Sequence, residues 1–344
     1  MSRQKIVLAV SEDIVIPSVP NEWEGHYVIM KPDDFYNFDY NPELHEIYPI
    51  GDRSYDVASE IINNPELGFC LKLSEICNNK FVCRQTLNCM KDIPYTICDN
   101  NIINWPQDPD TQLIAKPVGG SGSNGVHKVK HGDSVPDIGQ NYIVELYIDD
   151  KYTKVTMNGY IFNGEIGILC VCENIYKEDE PTKFDYFKFS KDYKNTDIYS
   201  KIKEKYISSI SELHNLTGCN NQLIEIEFFI IDDKIKIMEI NPRLGVNQIP
   251  LMHQICGYCP WKALENIYNN KHPEISFEPR NGIVLYNYLF DNEKGIFVNN
   301  NIDNVNIFSV FAHICHTYIS SHDENLSIED LLDIGRNEVK RLKN

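Results

Sequence analysis

Long hydrophobic runs are missing from this sequence. No apolar stretch approaches the roughly 18 residues of a membrane span, and the opening MSRQKIVLAV is too short in apolar residues for a signal peptide. The expectation is a cytoplasmic protein that binds no membrane. Positive charge is also scarce: 32 Lys and Arg stand against 50 Asp and Glu, for a formal charge of -18. Such a balance repels phosphate backbones and excludes bulk nucleic-acid binding, so any bound nucleotide needs positive charge gathered locally. Repeats, low-complexity linkers and clean breaks in composition are absent. With 344 residues the chain exceeds one average domain, and two or three units are expected.

Cysteine is not scarce, but paired metal spacing is. Eleven cysteines without an export signal fit reduced thiols better than a disulfide framework. CGYC at Cys256 to Cys259 has the spacing of a redox pair. It lies between PLMHQI and PWKALENIY, where Gly257 reads as a break between helical turns. HICH at His313 to His316 sits in a strand-like run and has no partner cluster with zinc spacing. Both read as structural.

KIVLAV, HYVIM and EIYPI have the look of three short buried strands, and YDVASEIINN of a helix after them. Residues 1–79 form a small α/β unit on this view. NNKFVCRQTLNCMKDIPYTIC predicts a helix from about Asn79 to Met90 and then a strand. KYTKVTMNGYIF and EIGILCVCE flank Asn163-Gly164, a strong hairpin signal. A charged helix around IYSKIKEKYISSISELHNL leads to a second hairpin, QLIEIEFFI and KIKIMEI, and SIEDLLDIGRNEVKRLK closes the chain as a helix capped by Ser327.

GSGSNG, residues 120–125, has the G-x-G-x-x-G spacing of both a dinucleotide-binding turn and a kinase glycine loop. The first needs a helix directly after the glycines, whereas VHKVK alternates like a strand. The second needs H-R-D and D-F-G triplets, and the chain has neither. What remains is a strand-loop-strand flap, fed by LIAKPV, whose amides close over phosphates beside Lys116. A mobile hairpin with nothing bound is the bland alternative.

About one hundred residues further on lies LIEIEFFIIDDKIKIMEINPRLG. Glu239 and Asn241 are two apart on a strand and share a face. Glu227 joins them across the hairpin only if parity allows, which a three-residue loop of Asp232, Asp233 and Lys234 would do by pairing Glu227 with Glu239 and Glu225 with Asn241. Clustered carboxylates raise each other's pKa unless a cation sits among them, and hard oxygen donors suit Mg2+ or Mn2+ shared with phosphates. Arg243 follows, a fork for an anionic group. A solvated acidic edge is the plain alternative, but it leaves Asn-Pro-Arg unexplained.

Together these segments resemble the ATP-grasp superfamily of ATP-dependent carboxylate-amine ligases, over about residues 79–260. The resemblance implies an α/β (α+β) ATP-grasp fold behind a short N-terminal unit, divided as 1–79, 80–147, 148–262 and a C-terminal segment 263–344 packed on the core. Lys80 in NNKFVCRQTL is similar to the first ATP-binding lysine and Lys116 to the second. Gly120, Ser121, Gly122, Ser123, Asn124 and Gly125 are similar to the flap over the phosphates. YIVELYI resembles the adenine hinge, with Glu145 as acceptor for the exocyclic amine and Tyr147 and Ile148 reading the ring edge. Glu227, Glu239 and Asn241 are implied metal ligands, and Arg243, with Lys116, is implied in catalysis. One departure stands out: many members carry a ribose-binding Glu after the hinge, where this chain has Tyr152, leaving Tyr152, Asp149 or Asp150 for that place.

The resemblance implies ATP and Mg2+ (or Mn2+) as cofactors and a small-molecule carboxylate and amine as substrates, joined through an acyl phosphate with release of ADP. Neither nucleic acid nor membrane is an expected partner, and a homodimer stays open. Two alternatives stand beside the ligase: an ATP-binding regulatory or scaffold module without catalysis, and a small-molecule carboxylase, for which no biotin-accepting motif is present. Lys154, Lys183 and Arg280 are candidates for a substrate carboxylate or for solvated surface.

Overall fold

A computed structural model of the protein describes residues 3–9, 19, 23, 25–98, 101–106, 108–120, 122, 124–177, 184–244, 249, 252–253, 258–273, 281–287, 297–302, 305–311, 315–321, 323 and 325–343. The chain begins with three short strands, β1 (Gln4–Leu8), β2 (Tyr27–Met30) and β3 (His45–Pro49), paired in parallel in the order β2-β1-β3. These are the three strands expected from the apolar runs. Helix α1 (Pro32–Phe35) opens on a proline, whose missing N–H costs nothing there. After β3, Gly51 turns with φ +79 and starts helix α2 (Asp52–Ile62), which puts Asp52 at a helix N-terminus.

Helices α3 (Leu71–Cys77) and α4 (Lys80–Thr86) follow. Asn79 caps α4, its side-chain oxygen accepting from the Phe81 and Val82 N–H groups at 3.1 Å each. The helix is shorter than the expected run to Met90. Leu87 turns extended, and a single 3-10 turn covers Asn88–Met90. The cause lies outside the helix: the Glu212 carboxylate accepts from the Asn88 and Cys89 N–H groups at 2.7 and 3.1 Å, giving those amides a different partner.

Two sheets build the middle of the molecule. The smaller has strands β4 (Tyr95–Cys98), β5 (Leu113–Pro117), β6 (His127–Val129) and β7 (Tyr142–Leu146) in the order β4-β7-β5-β6. The larger starts with β8 (Thr153–Phe162), β9 (Glu165–Tyr176) and β10 (Phe184–Phe189), and adds β11 (Gln222–Ile231) and β12 (Lys234–Asn241) after helix α5 (Asp197–Thr217). The β8-β9 hairpin turns at Asn163-Gly164 with φ 48 and 81, as the sequence predicts. Beyond α6 (Pro260–Tyr268), strands β13 (Asn281–Asn287), β14 (Phe297–Ile302), β15 (Val305–Phe311) and β16 (Cys315–Ser321) join the same sheet through β10, and α7 (Ile328–Lys343) follows.

One apolar cluster joins helices α3, α4 and α5 to the large sheet, with Leu73, Cys83, Ile202 and Tyr206 among Val155, Ile224 and Ile226. Helix α5 and the sheet meet closely at Gly159. A Cβ there would lie 2.5 Å from the Tyr206 hydroxyl, which donates to the Ile224 carbonyl at 2.8 Å. A second cluster joins the N-terminal unit and α6 to the same sheet through Trp23, Tyr48, Trp261 and Leu223. Among the described residues no helix is long and apolar enough to cross a membrane.

Candidate functional site

The second hairpin keeps the expected pairing by an unexpected route. Its loop has two residues, not three: Asp232 and Asp233, at φ 46 and 65, join Ile231 directly to Lys234. Two residues alone would place Glu227 and Glu239 on opposite faces. A bulge corrects the parity. The register shifts after Phe228 pairs with Ile237, Met238 takes no partner, and Glu227 then pairs with Glu239, Ile226 with Ile240 and Glu225 with Asn241. The carboxylates thus share a face for a reason that lies in Met238, not in Lys234.

Lys154 lies on that same face, because β8 pairs Lys154 with Phe229 and Thr156 with Glu227. In the smaller sheet, β5 presents Ile114 and Lys116 on one side and buries Leu113 and Ala115 on the other. Strand β7 pairs Ile114 with Glu145, which sets Glu145 beside Lys116. The two sheets enclose a cavity of about 160 Å³ between these faces. Lys80, Lys116, Gly120, Gly122, Asn124, Glu145, Tyr147, Ile148, Glu227 and Glu239, all expected site residues, line it. Gly125, Tyr152, Asn241 and Arg243 do not. Ser121, Ser123, Lys183, Cys256, Gly257, Arg280 and His313 lie outside the described residues.

The glycine segment joins β5 to β6 with no helix after it, and Ala115 pairs with His127 across it. Gly125 sits at φ +71, and a Cβ there would meet the Pro117 ring at 3.0 Å. Lys80, the first residue of α4, ties this segment to the hairpin. Its N–H donates to the Val118 carbonyl at 2.8 Å and its ammonium to the Gly120 carbonyl at 2.7 Å, while the Glu239 carboxylate lies at 3.0 Å. Burial favours a neutral Lys80, but Glu239 outweighs it and raises the pKa.

Glu145 is buried between two cations. Arg84 Nε donates to one oxygen at 2.6 Å and Lys116 Nζ to the other at 2.7 Å. Burial pushes the carboxyl up, but the Lys116 and Arg84 charges prevail and hold it at about 2. Its side chain, expected to meet an exocyclic amine, is therefore engaged as the tether of Lys116. Arg84, which sequence reasoning missed, also donates to the carbonyls of Met90, Ile237 and Met238 at 3.0, 2.9 and 3.0 Å. It binds hinge and bulge together. The one sequence cue is that Arg84 follows Lys80 by four residues, on the same helix face.

Around Asp150, Lys128 Nζ lies at 2.8 Å, Lys154 Nζ at 3.1 Å, and the Tyr147 hydroxyl donates to the same carboxylate. Lys154 rests over the Tyr176 ring at 3.8 Å, and burial lowers its pKa. Asp150 and Lys154 both line the cavity, at the position where Tyr152 was expected to act.

On the acidic face, burial and the charges of Glu225 and Glu239 push Glu227 up to about 8. Asn241 Nδ2 donates to Glu225 at 2.9 Å, and Arg243 reaches Glu225 at 3.3 Å and Asp52 at 2.5 Å. No cluster of three or more His, Cys, Asp or Glu side chains set to hold a metal occurs among the described residues. Two carboxylates beside one amide nonetheless make a donor set that Mg2+ accepts when phosphates and water complete it.

Residues 77–246 match the family model described as an ATP-grasp domain. Three solved structures share the fold. N5-carboxyaminoimidazole ribonucleotide synthetase from Thermotoga maritima is 13% identical with TM-score 0.69, covering 98% of each chain. L-amino acid ligase from Bacillus licheniformis is 12% identical with TM-score 0.66, covering 98% of this chain and 96% of that one. Phosphoribosylglycinamide synthetase from Anaerococcus prevotii is 14% identical with TM-score 0.65, covering 97% and 98%. No curated protein sequence matches the chain. Residues 77–246 thus form an ATP-grasp domain, and the chain shares the fold of these three solved structures.

Proposed function

We propose that the protein is an ATP-dependent ligase that joins a small-molecule carboxylate to an amine through an acyl phosphate, releasing ADP and phosphate. The observation that carries this reading is the convergence of Lys80, Lys116, Glu227 and Glu239 on one cavity, with Arg243 beside the same acidic face. A carboxylate oxygen attacks the γ-phosphorus of ATP, and the bond to the β,γ-bridging oxygen breaks. The amine nitrogen then attacks the acyl carbon, loses a proton, and phosphate leaves.

Lys80 and Lys116 bind phosphate oxygens as charge moves onto the leaving ADP, and the backbone from Tyr147 to Ile148 holds adenine. Asp150, oriented by three donors, takes the ribose hydroxyls. Arg243 steadies the anion that receives the phosphoryl group. Glu227, Glu239 and Asn241 would hold Mg2+ or Mn2+, which supplies charge neutralisation between the phosphates. The glycine flap closes the cavity and excludes water.

Removing one preorganised contact of this kind costs about 3 kcal/mol, or roughly a hundredfold in rate. Glu239→Gln is expected to lose ADP release while keeping the thermal unfolding of the parent, and Arg243→Ala to lose it together with part of the stability, since it leaves Asp52 and buried Glu225 without their cation. The test is ADP release over carboxylate and amine pairs, with hydroxylamine replacing the amine to trap the acyl phosphate as a hydroxamate. Full activity in folded Glu239→Gln overturns the metal assignment, and ADP release driven by bicarbonate alone turns the reading to a carboxylase.

A further inference from the structure

A second cavity, of about 30 Å³, lies where three parts of the chain meet. The N-terminal unit contributes Tyr55 and Phe69, the hairpin end Leu223 and Leu244, and α6 Trp261 and Leu264. Arg243 lines it as the one charged side chain among the described residues. The uncharged polar side chains on its wall are engaged: Gln222 accepts from the Tyr55 hydroxyl at 3.1 Å and donates to the Pro242 carbonyl at 2.5 Å, and Asn221 donates to the Glu66 carbonyl at 2.8 Å. Trp261, 1% exposed, closes the chamber on the α6 side.

Arg243 connects this cavity to the acidic face. It reaches Glu225, whose pair with Asn241 lies one same-face step, roughly 7 Å along the strands, from the pair of Glu227 and Glu239. A carboxylate held by Arg243 therefore has phosphoryl chemistry on one side and an apolar chamber on the other. Space for one water takes about 10–15 Å³ on this measure, so the chamber admits about two methyl-sized groups.

Resting on the ligase reading, we infer that the acid substrate is a carboxylic acid with a short uncharged tail of two or three carbons, its carboxylate on Arg243 and its tail in the chamber under Trp261. A charged tail would be desolvated there without an opposing partner, and a long one exceeds the space. The carboxylate takes the Arg243 fork from Asp52, which now holds its Nε at 2.7 Å and Nη2 at 2.5 Å.

The experiment is calorimetric binding of acids to the full chain with ADP and Mg2+, comparing alanine, 2-aminobutyrate, valine and leucine, and their deamino acids, with glutamate, lysine and phenylalanine. Short uncharged acids are expected to bind, and each methylene beyond the optimum to weaken binding about tenfold. Leu264→Ala enlarges the chamber and is expected to move the optimum one or two carbons longer; Leu264→Phe fills it and should abolish binding of the preferred acid while ADP still raises the melting temperature. Equal binding of charged or long acids, an optimum that Leu264→Ala leaves in place, or no binding by any acid overturns the inference. Tight, size-selective binding with no ADP release under any amine keeps the chamber and overturns the ligase reading instead.

Discussion

Arg84 carries more of the site than any residue picked out from the sequence. It is 1% exposed, and four of its five N–H donors serve Glu145 and the three carbonyls of Met90, Ile237 and Met238. Its loss would free a buried carboxylate and release the bulge that aligns Glu227 with Glu239. Breaking a buried ion pair from one side costs about 3–5 kcal/mol. Arg84→Met is therefore expected to lower the melting temperature sharply, and Arg84→Lys, which keeps the charge but not the fork, to fall between. If the bulge is what Arg84 holds, the lysine variant also needs more Mg2+ for half-maximal ADP release, while its stability is partly restored. Glu227 sets a pH dependence. Its folded value of about 8 lies above the 4.5 of a free carboxyl, so between those values the folded chain binds more protons than the unfolded one and loses stability as pH rises. On the proposed metal assignment a divalent cation would replace that proton. Stabilisation by Mg2+ should grow from pH 6 to pH 8.5, and Glu227→Gln should flatten the dependence in thermal-shift titrations.

At the scale of elements, the hairpin shows what the sequence disclosed and what it hid. Same-face spacing made Glu239 and Asn241 legible, and Lys116 was legible as the residue that feeds a strand into a glycine loop. The pairing of Glu227 with Glu239 was right, but the loop was not. A three-residue loop and a two-residue loop with a bulge give the same parity, and nothing local to Met238 separates them: its carbonyl is held by Arg84, 154 positions away in sequence. Arg84 itself was hidden because its partners come together only in the folded chain. The turn is also open to improvement. Asp232 and Asp233 occupy left-handed φ of 46 and 65, a geometry that Asn-Gly serves better. The double change Asp232→Asn with Asp233→Gly should stabilise the protein by about 0.5–1 kcal/mol in urea melts without altering turnover. By contrast, Gly159→Ala puts a Cβ 2.2 Å from the Gly167 carbonyl of β9 and 2.5 Å from the Tyr206 hydroxyl of α5, and should loosen both from β8. A lower midpoint for that variant in the same melts checks the contact.

Across the whole molecule the charge is -18, yet the described wall of the cavity proposed for the nucleotide carries no negative excess, with Lys80, Lys116, Lys128 and Lys154 against Glu145, Asp150, Glu239 and the raised Glu227. The negative excess therefore lies away from the site. Its reach depends on salt: the screening length is about 30 Å at 0.01 M and about 8 Å at 0.15 M. At low salt an approaching ATP is repelled by most of the protein before it meets the four lysines. At physiological salt the distant carboxylates are screened, whereas the lysines are met at contact distance and keep their pull. The association rate constant of ATP should thus rise severalfold between 0.01 and 0.15 M salt, against the fall usual for a ligand steered by opposite charge. The dissociation rate should rise as well, since the lysine-phosphate contacts weaken. Stopped-flow mixing with a fluorescent ATP analogue separates the two rates. An association rate that declines steadily with salt would mean that the lysines, not the acidic surface, set the field through which the nucleotide arrives.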